Sequence, residues 1–172
     1  MLRLILTVVD IMLHRRGPDS LPSSRFLFWF LLASMLASSL AVRIVEGITM
    51  PRVAVTLLVA GFEFWFVWGM LRLFGRVRRF RQTMSAVLGT DAIIAALMMP
   101  FAPFSDPPTA AGQELSLAWF ALAFLEVWSI DITAFVLSRA LERPYLPTLA
   151  IVIAYFLLIV SLQATLLQLL AT

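Results

Sequence analysis

Five uninterrupted apolar runs constrain this chain more than any other feature. They cover about Phe26 to Val45, Val53 to Leu73, Thr83 to Phe104, Leu115 to Ser138 and Leu146 to Leu170. A hydrocarbon core roughly 30 Å thick needs about 20 residues at a rise of about 1.5 Å each, and every run supplies that length. Lipid offers no partner to a backbone N–H or C=O, so each run is expected to be helical. The runs are too long and too continuous for barrel strands. The expected fold class is therefore all-α, a polytopic membrane bundle of five transmembrane helices over residues 26–172. Composition agrees: 62% of the 172 residues are hydrophobic and 13% are charged, where a soluble domain carries about 25% charged residues. No length is left over for a separate soluble domain.

Residues 1–25 read differently. Arg3, Thr7, Asp10 and His14 recur at spacings of four, three and four, one stripe of a helix otherwise covered by Leu, Ile, Val and Met. This pattern predicts an amphipathic helix lying in the membrane interface, apolar face down, with Arg15 and Arg16 at headgroup level. A secretory signal is the rival reading. Asp10 interrupts its apolar region, and no small-residue cleavage site precedes Gly17-Pro18. The stretch Gly17-Pro18-Asp19-Ser20-Leu21-Pro22-Ser23-Ser24 should end the helix and turn the chain as a linker.

The connections set an orientation. Arg3, Arg15, Arg16 and Arg25 precede the first run; Arg72, Arg76, Arg78, Arg79 and Arg81 lie at the end of the second and before the third; Arg139 and Arg143 lie between the fourth and fifth. The other side holds Arg43 and Arg52, with Glu46, Asp106 and Glu114. This asymmetry predicts a cytoplasmic N-terminus and an outer C-terminus, which five crossings satisfy, in a membrane of the bacterial inner type. All thirteen basic residues are arginine, a bias expected of a GC-rich genome. The net charge of +3 is too small, and too confined to one side, for nucleic-acid binding.

The residues that could carry chemistry are acids within the runs: Glu63, Asp91, Glu126 and Asp131. A charge at membrane depth costs at least about 2.5–3.5 kcal/mol, so such groups face protein or a wet cavity. Counting from assumed helix ends puts Asp91 and Asp131 about 12 Å below the cytoplasmic edge and Glu63 and Glu126 near the midplane, at roughly 16–20 Å. That predicts two layers, each pairing the fourth helix with another. Three roles compete for the acids. They could join helices through Thr90, Ser129, Thr133 or Trp65; pair with an arginine such as Arg72; or form a carboxylate relay. The fifth run adds only Tyr155, Ser161, Gln163 and Gln168 as polar lining, which weighs against a relay.

Other features read as packing or placement. Ala33, Ala37 and Ala41, beside Ser34 and Ser38, place small residues at four-residue spacing and predict close helix packing. Phe62, Phe64, Trp65, Phe66 and Trp68 suit lipid contact and helix packing, with a pigment or quinone face the rival. Trp119 suits an interfacial anchor, and Pro100 and Pro103 should kink or end the third helix. Arg76, Arg78, Arg79 and Arg81 could face anionic lipid or an acidic partner, although topology already accounts for them. The chain has no cysteine and a lone His14, so no metal site and no cofactor is expected. No catalytic fingerprint is present.

Three stretches carry a family resemblance: Asp19-Ser20-Leu21-Pro22-Ser23-Ser24 before the first run, Phe80-Arg81-Gln82-Thr83 through Leu88-Gly89-Thr90-Asp91 entering the third, and Ala140-Leu141-Glu142-Arg143-Pro144 before the fifth. With them the chain resembles the bacterial branch of the Yip1-type membrane proteins over most of its length after residue 17. Ser20 departs from that family's aspartate-leucine-proline pattern. The resemblance implies five spans, a cytoplasmic N-terminus and a role as membrane organiser or adaptor, with no catalytic residues. The leading expectation is a non-enzymatic membrane adaptor or complex subunit, acting on the bilayer and on a membrane-protein partner or itself by helix packing. The contender is a small transporter or proton-coupled carrier using the four acids. An enzyme acting on lipid lacks a nucleophile set.

Overall fold

In the computed structural model, residues 2–45, 47, 49–104 and 116–171 are described, the side chains of 51, 52, 170 and 171 excepted. Glu46, Asp106 and Glu114, and the side chain of Arg52, therefore lie outside the described residues. The remainder is all-helical: α1 (Leu2–Met12), α2 (Arg25–Val45), α3 (Met50–Leu73), α4 (Phe80–Met98), α5 (Leu117–Leu141) and α6 (Tyr145–Ala171). Five of these, α2 to α6, are long and apolar enough to cross a membrane, and the chain is a multi-pass membrane protein. Most span ends match the apolar runs. The third helix starts three residues earlier than its run, at Phe80, and the fourth ends three later, at Leu141.

Local chemistry sets the boundaries. The Ser24 hydroxyl accepts from the Leu27 N–H at 3.4 Å at the start of α2, and the Ser116 hydroxyl accepts from the Trp119 N–H at 3.2 Å at the start of α5. Pro51 sits within the first turn of α3, where its missing N–H costs nothing. As expected from Pro100 and Pro103, α4 gives way at Met99 to a tighter 3-10 segment, Met99–Phe104. At the Arg-rich end, α1, α3 and α5 close alike. A left-handed residue (His14 at φ 59°, Gly75 at φ 70°, Glu142 at φ 54°) follows each helix. The next N–H reaches back five residues, from Arg15 to the Asp10 carbonyl, from Arg76 to that of Leu71 and from Arg143 to that of Ser138.

The core lies at this same end. Residues Thr83 to Thr90 of α4 are buried without a gap, as is the run Ala134 to Ser138 of α5. Helix α2 packs most extensively on α4, offering Leu27, Leu31 and Met35 at four-residue spacing to a face containing Ser85, Ala86 and Gly89. The small residues of α2 divide: Ala33 and Ala37 are exposed, while Ser34, Ser38 and Ala41 are half-buried, and at the α2–α4 contact the small residues that permit close approach belong to α4.

Helix α1 forms, but it does not simply lay an apolar face on the interface. Val8, Ile11 and Met12 turn into the bundle against α4 and α5, while Leu2, Ile5, Leu6 and Leu13 stay exposed. The linker is docked as well. Leu21 is buried, and the Gln82 amide donates to its carbonyl at 2.9 Å.

Gly89 marks where α1, α2 and α4 meet: a Cβ there would come within 3.2 Å of Val8 and 3.6 Å of Leu31. Gly89→Leu should expel α1 by overpacking, at about 1–3 kcal/mol. Limited trypsinolysis should then cut after Arg15 and Arg16 roughly tenfold faster or more, with the spanning helices intact by circular dichroism. An unchanged rate would show that α1 is not held by this junction.

Glu142 supplies a second test, since its left-handed conformation costs roughly 1–2 kcal/mol that glycine avoids. Its carboxylate meets Arg76, and Arg79 at 2.5 Å, contacts of about 0–1 kcal/mol each because all three side chains are well exposed. Glu142→Ala should lower the melting temperature in detergent, and Glu142→Gly should lower it less or raise it. The opposite order would mean that the left-handed conformation carries no strain, since both variants lose the arginine contacts equally.

Candidate functional site

The acids are not arranged in the two layers that depth counting predicted. Glu63 of α3 and Asp91 of α4 lie within hydrogen-bonding reach of each other, and Glu126 of α5 is within electrostatic reach of Asp91. A hydrogen bond between two carboxyls requires a proton on one of them. Asp131 stands apart from this group. The layers failed because depth along a helix does not say which neighbour a side chain faces. Starting α4 at Phe80 sinks Asp91 by three residues, about 4.5 Å, and ending α5 at Leu141 sinks Asp131 by as much, yet Asp91 lines a cavity with Glu63 while Asp131 faces Tyr145 and His14.

Glu63, Asp91 and Glu126 line one cavity of about 320 Å³ to which all five spanning helices contribute. Its further polar lining is Ser39, Thr56, Ser129, Thr133, Tyr155 and Gln163. Tyr155 is fixed there by stacking on Phe66, centroids 4.0 Å apart and planes within 8°. A second hollow of about 430 Å³ shares Ser39, Thr56, Glu126 and Gln163 with the first and adds Arg43 and Trp119. Together they run from Asp91 to the ends of α2 and α5 remote from the arginine cluster. Arg43 donates to the Thr56 hydroxyl at 3.2 Å and acts electrostatically on Glu126. Toward the Arg-rich end the cavity is closed by the buried blocks of α4 and α5. Among the described residues, no three His, Cys, Asp or Glu side chains are grouped to hold a metal ion.

The proposed partners of the acids divide. Ser129 and Thr133 line the cavity. Thr90 instead donates to the Val87 carbonyl of its own helix at 2.8 Å, Trp65 is 67% exposed, and Arg72 lies over the Trp68 ring at 5.0 Å. The aromatic run of α3 splits likewise. Phe64 meets Phe28 edge-on at 6.0 Å and Phe66 meets Tyr155, while Phe62 and Trp65 point outward.

Asp131 belongs to a different cluster at the Arg-rich end. The Tyr145 hydroxyl donates to its Oδ1, and His14 Nε2 lies 3.2 Å from its Oδ2. The geometry of that second contact does not make a hydrogen bond, and Nε2 is shut off from solvent. The His14 ring stacks on Phe135 at 4.2 Å and 13°. A hollow of about 380 Å³ opens beside these groups, lined also by Ser138, Arg139 and Arg143. The sequence reading had left His14 without a partner, and Tyr145 had not been singled out. No local spacing connects either with Asp131, because the contacts are made across helices distant in the chain.

Of the arginine group, Arg76 and Arg79 are engaged by Glu142, whereas Arg78 and Arg81 are exposed. No family model matches this chain, nor does any curated protein or solved structure.

Proposed function

We propose that this is a small, non-enzymatic carrier of the bacterial inner membrane that exchanges a proton for a small cation at Glu63, Asp91 and Glu126. The observation that supports this reading is the cavity itself. It brings three carboxyls together at membrane depth, lines them with hydroxyls from α2, α3, α5 and α6 and an amide from α6, and adjoins a second hollow on the side remote from the arginine cluster. Intramembrane carboxyls gathered in a cavity are the usual parts of a cation pathway, since a proton and a cation compete for the same negative charge. Ser39, Thr56, Ser129 and Thr133 add polar lining from α2, α3 and α5 to Tyr155 and Gln163 of α6, which offsets the scarcity on the last helix that weighs against a relay. In this reading the arginine-rich end is cytoplasmic, the cavity opens to the periplasm, and Leu2, Ile5, Leu6 and Leu13 of α1 rest in the interface. A membrane adaptor of the Yip1 type is the second reading. It is favoured by a groove around Gly61 on the exposed face of α3, bordered by Leu57, Leu58, Phe62 and Trp65, where a partner helix could seat.

The carrier reading is tested in proteoliposomes that hold an acid-inside pH gradient reported by an accumulating dye. Adding sodium or tetraethylammonium should dissipate the gradient in wild-type vesicles. Glu63→Gln with Asp91→Asn should slow this at least roughly tenfold, the scale of a lost essential proton-transfer group. Dissipation no faster than in protein-free vesicles, together with loss of a co-purifying protein in the same variant, would instead place the acids in an adaptor interface.

Orientation is tested separately, and the absence of native cysteine makes the test clean. In whole cells an impermeant maleimide should label Thr49→Cys and spare Ser20→Cys. The reverse pattern would invert the proposed topology.

A further inference from the structure

The hollow beside His14 and Asp131 plays no part in the carboxylate cavity, and its charges are unevenly satisfied. Asp131 is provided for from within, by the Tyr145 hydroxyl on one oxygen and His14 at 3.2 Å from the other. Arg139 and Arg143, which line the same hollow, form no ion pair with any described residue. Glu142, the acid between them in sequence, is taken by Arg76 and Arg79. Each of the two guanidiniums instead lies over an aromatic ring, Arg139 over Phe135 at 5.5 Å and Arg143 over Phe74 at 4.9 Å. A ring under the guanidinium holds its position while leaving N–H groups at the edge free to donate. The left-handed turn at Glu142 directs the chain so that Arg143 reaches Phe74 while Arg139 remains on α5.

The location narrows the ligand. The hollow reaches from Asp131, inside the α5 span, to Arg139 and Arg143, which flank the point where that span ends at Leu141 and the α6 span begins at Tyr145; the two arginines thus stand at headgroup depth in any bilayer that these helices cross. Its volume of about 380 Å³ falls within the roughly 300–1,000 Å³ of small-ligand sites. Two guanidiniums that line one hollow and pair with no acid of their own, Asp131 of the same lining being met by Tyr145 and His14, match the oxygens of a phosphoryl group, to which arginine donates in bidentate fashion. The His14 Nε2, buried and without a hydrogen bond, stands at the rear of the same hollow beside Asp131. We propose that this hollow is a phosphoryl-binding site, with Arg139 and Arg143 as its donors, that takes either the headgroup phosphate of an anionic phospholipid or free phosphate.

Native mass spectrometry of the full chain in neutral detergent, with added dioleoylphosphatidylglycerol, reads occupancy directly. Dioleoylphosphatidylcholine is the lipid control, and inorganic phosphate is tested against chloride. Retention of one phosphatidylglycerol, lost roughly tenfold or more in Arg139→Gln with Arg143→Gln as expected for two charge-assisted hydrogen bonds, establishes the lipid source. Phosphate adducts with the same dependence, and no preference for phosphatidylglycerol, establish the free anion. Arg78→Gln with Arg81→Gln removes equal charge from exposed positions and should leave occupancy unchanged. Arg139→Lys with Arg143→Lys keeps the charge without the fork and should retain only part of it. Equal loss in the Arg78 and Arg81 variant, or wild-type protein that holds neither probe above its control, would overturn the proposal, and the wild-type comparison does so without depending on any variant's folding.

Discussion

Close packing of α4 between α1, α2 and α5 is the contact on which the other features depend. Eight consecutive buried residues, Thr83 to Thr90, are possible only where three helices approach one helix from different sides. The small side chains of Ser85, Ala86 and Gly89 permit that approach. In lipid the hydrophobic effect does not drive helices together, so contact of this kind and the polar links between helices must hold the bundle. The packing is tight at one end only. Beyond Asp91 the helices separate enough for all five to border one cavity, so the block that holds the bundle is also the floor of the candidate site.

Two non-glycine residues in left-handed conformation show where side chains are needed at helix ends. Gly75 closes α3 without steric cost, while His14 and Glu142 close α1 and α5 in the same way at roughly 1–2 kcal/mol each. Glycine would serve the backbone better at both positions. What glycine would lose is the imidazole stacked on Phe135 beside Asp131, and the carboxylate that gathers Arg76 and Arg79. Strain of this kind persists where surrounding contacts over-determine the conformation. Both residues meet that condition, one tying α1 to α5 and the other tying the end of α5 to the turn before α4.

The spans were legible in the sequence because the bilayer imposes one strict requirement, internal satisfaction of the backbone, and hydropathy reports it directly. The acids were legible as exceptions to that requirement. Their pairing was not, since it depends on how each helix is rotated. The shifts of three residues at Phe80 and at Leu141 cancel between Asp91 and Asp131, so it is the direction each side chain faces that sets Asp91 beside Glu63 and Asp131 beside Tyr145. Rotation also decided the fate of the small residues, outward for Ala33 and Ala37 on α2 and inward on α4, which spacing alone does not distinguish. His14 and Tyr145 were invisible as partners of Asp131 because the cluster is made by tertiary packing alone.

The molecule thus handles charge in two ways on the two sides of one seal. At the Arg-rich end, acids meet donors and cations: Asp131 accepts from the Tyr145 hydroxyl, Asp10 meets Arg16 at 3.1 Å, and Glu142 bridges two arginines. Such contacts sit near water and contribute little energy each, so they serve to orient helix ends. Across the seal, Glu63 and Asp91 have each other, and the cation acting on the group is Arg43, through Glu126. Two carboxyls in contact at membrane depth are tolerable when they share a proton, and a cation delivered to them must displace that proton or be repelled by it. The sealed floor prevents the arginines from neutralising the pair from below. That separation keeps the carboxyls apart from the arginine cluster, and it is why the packing of α4 and the chemistry of the cavity are one problem.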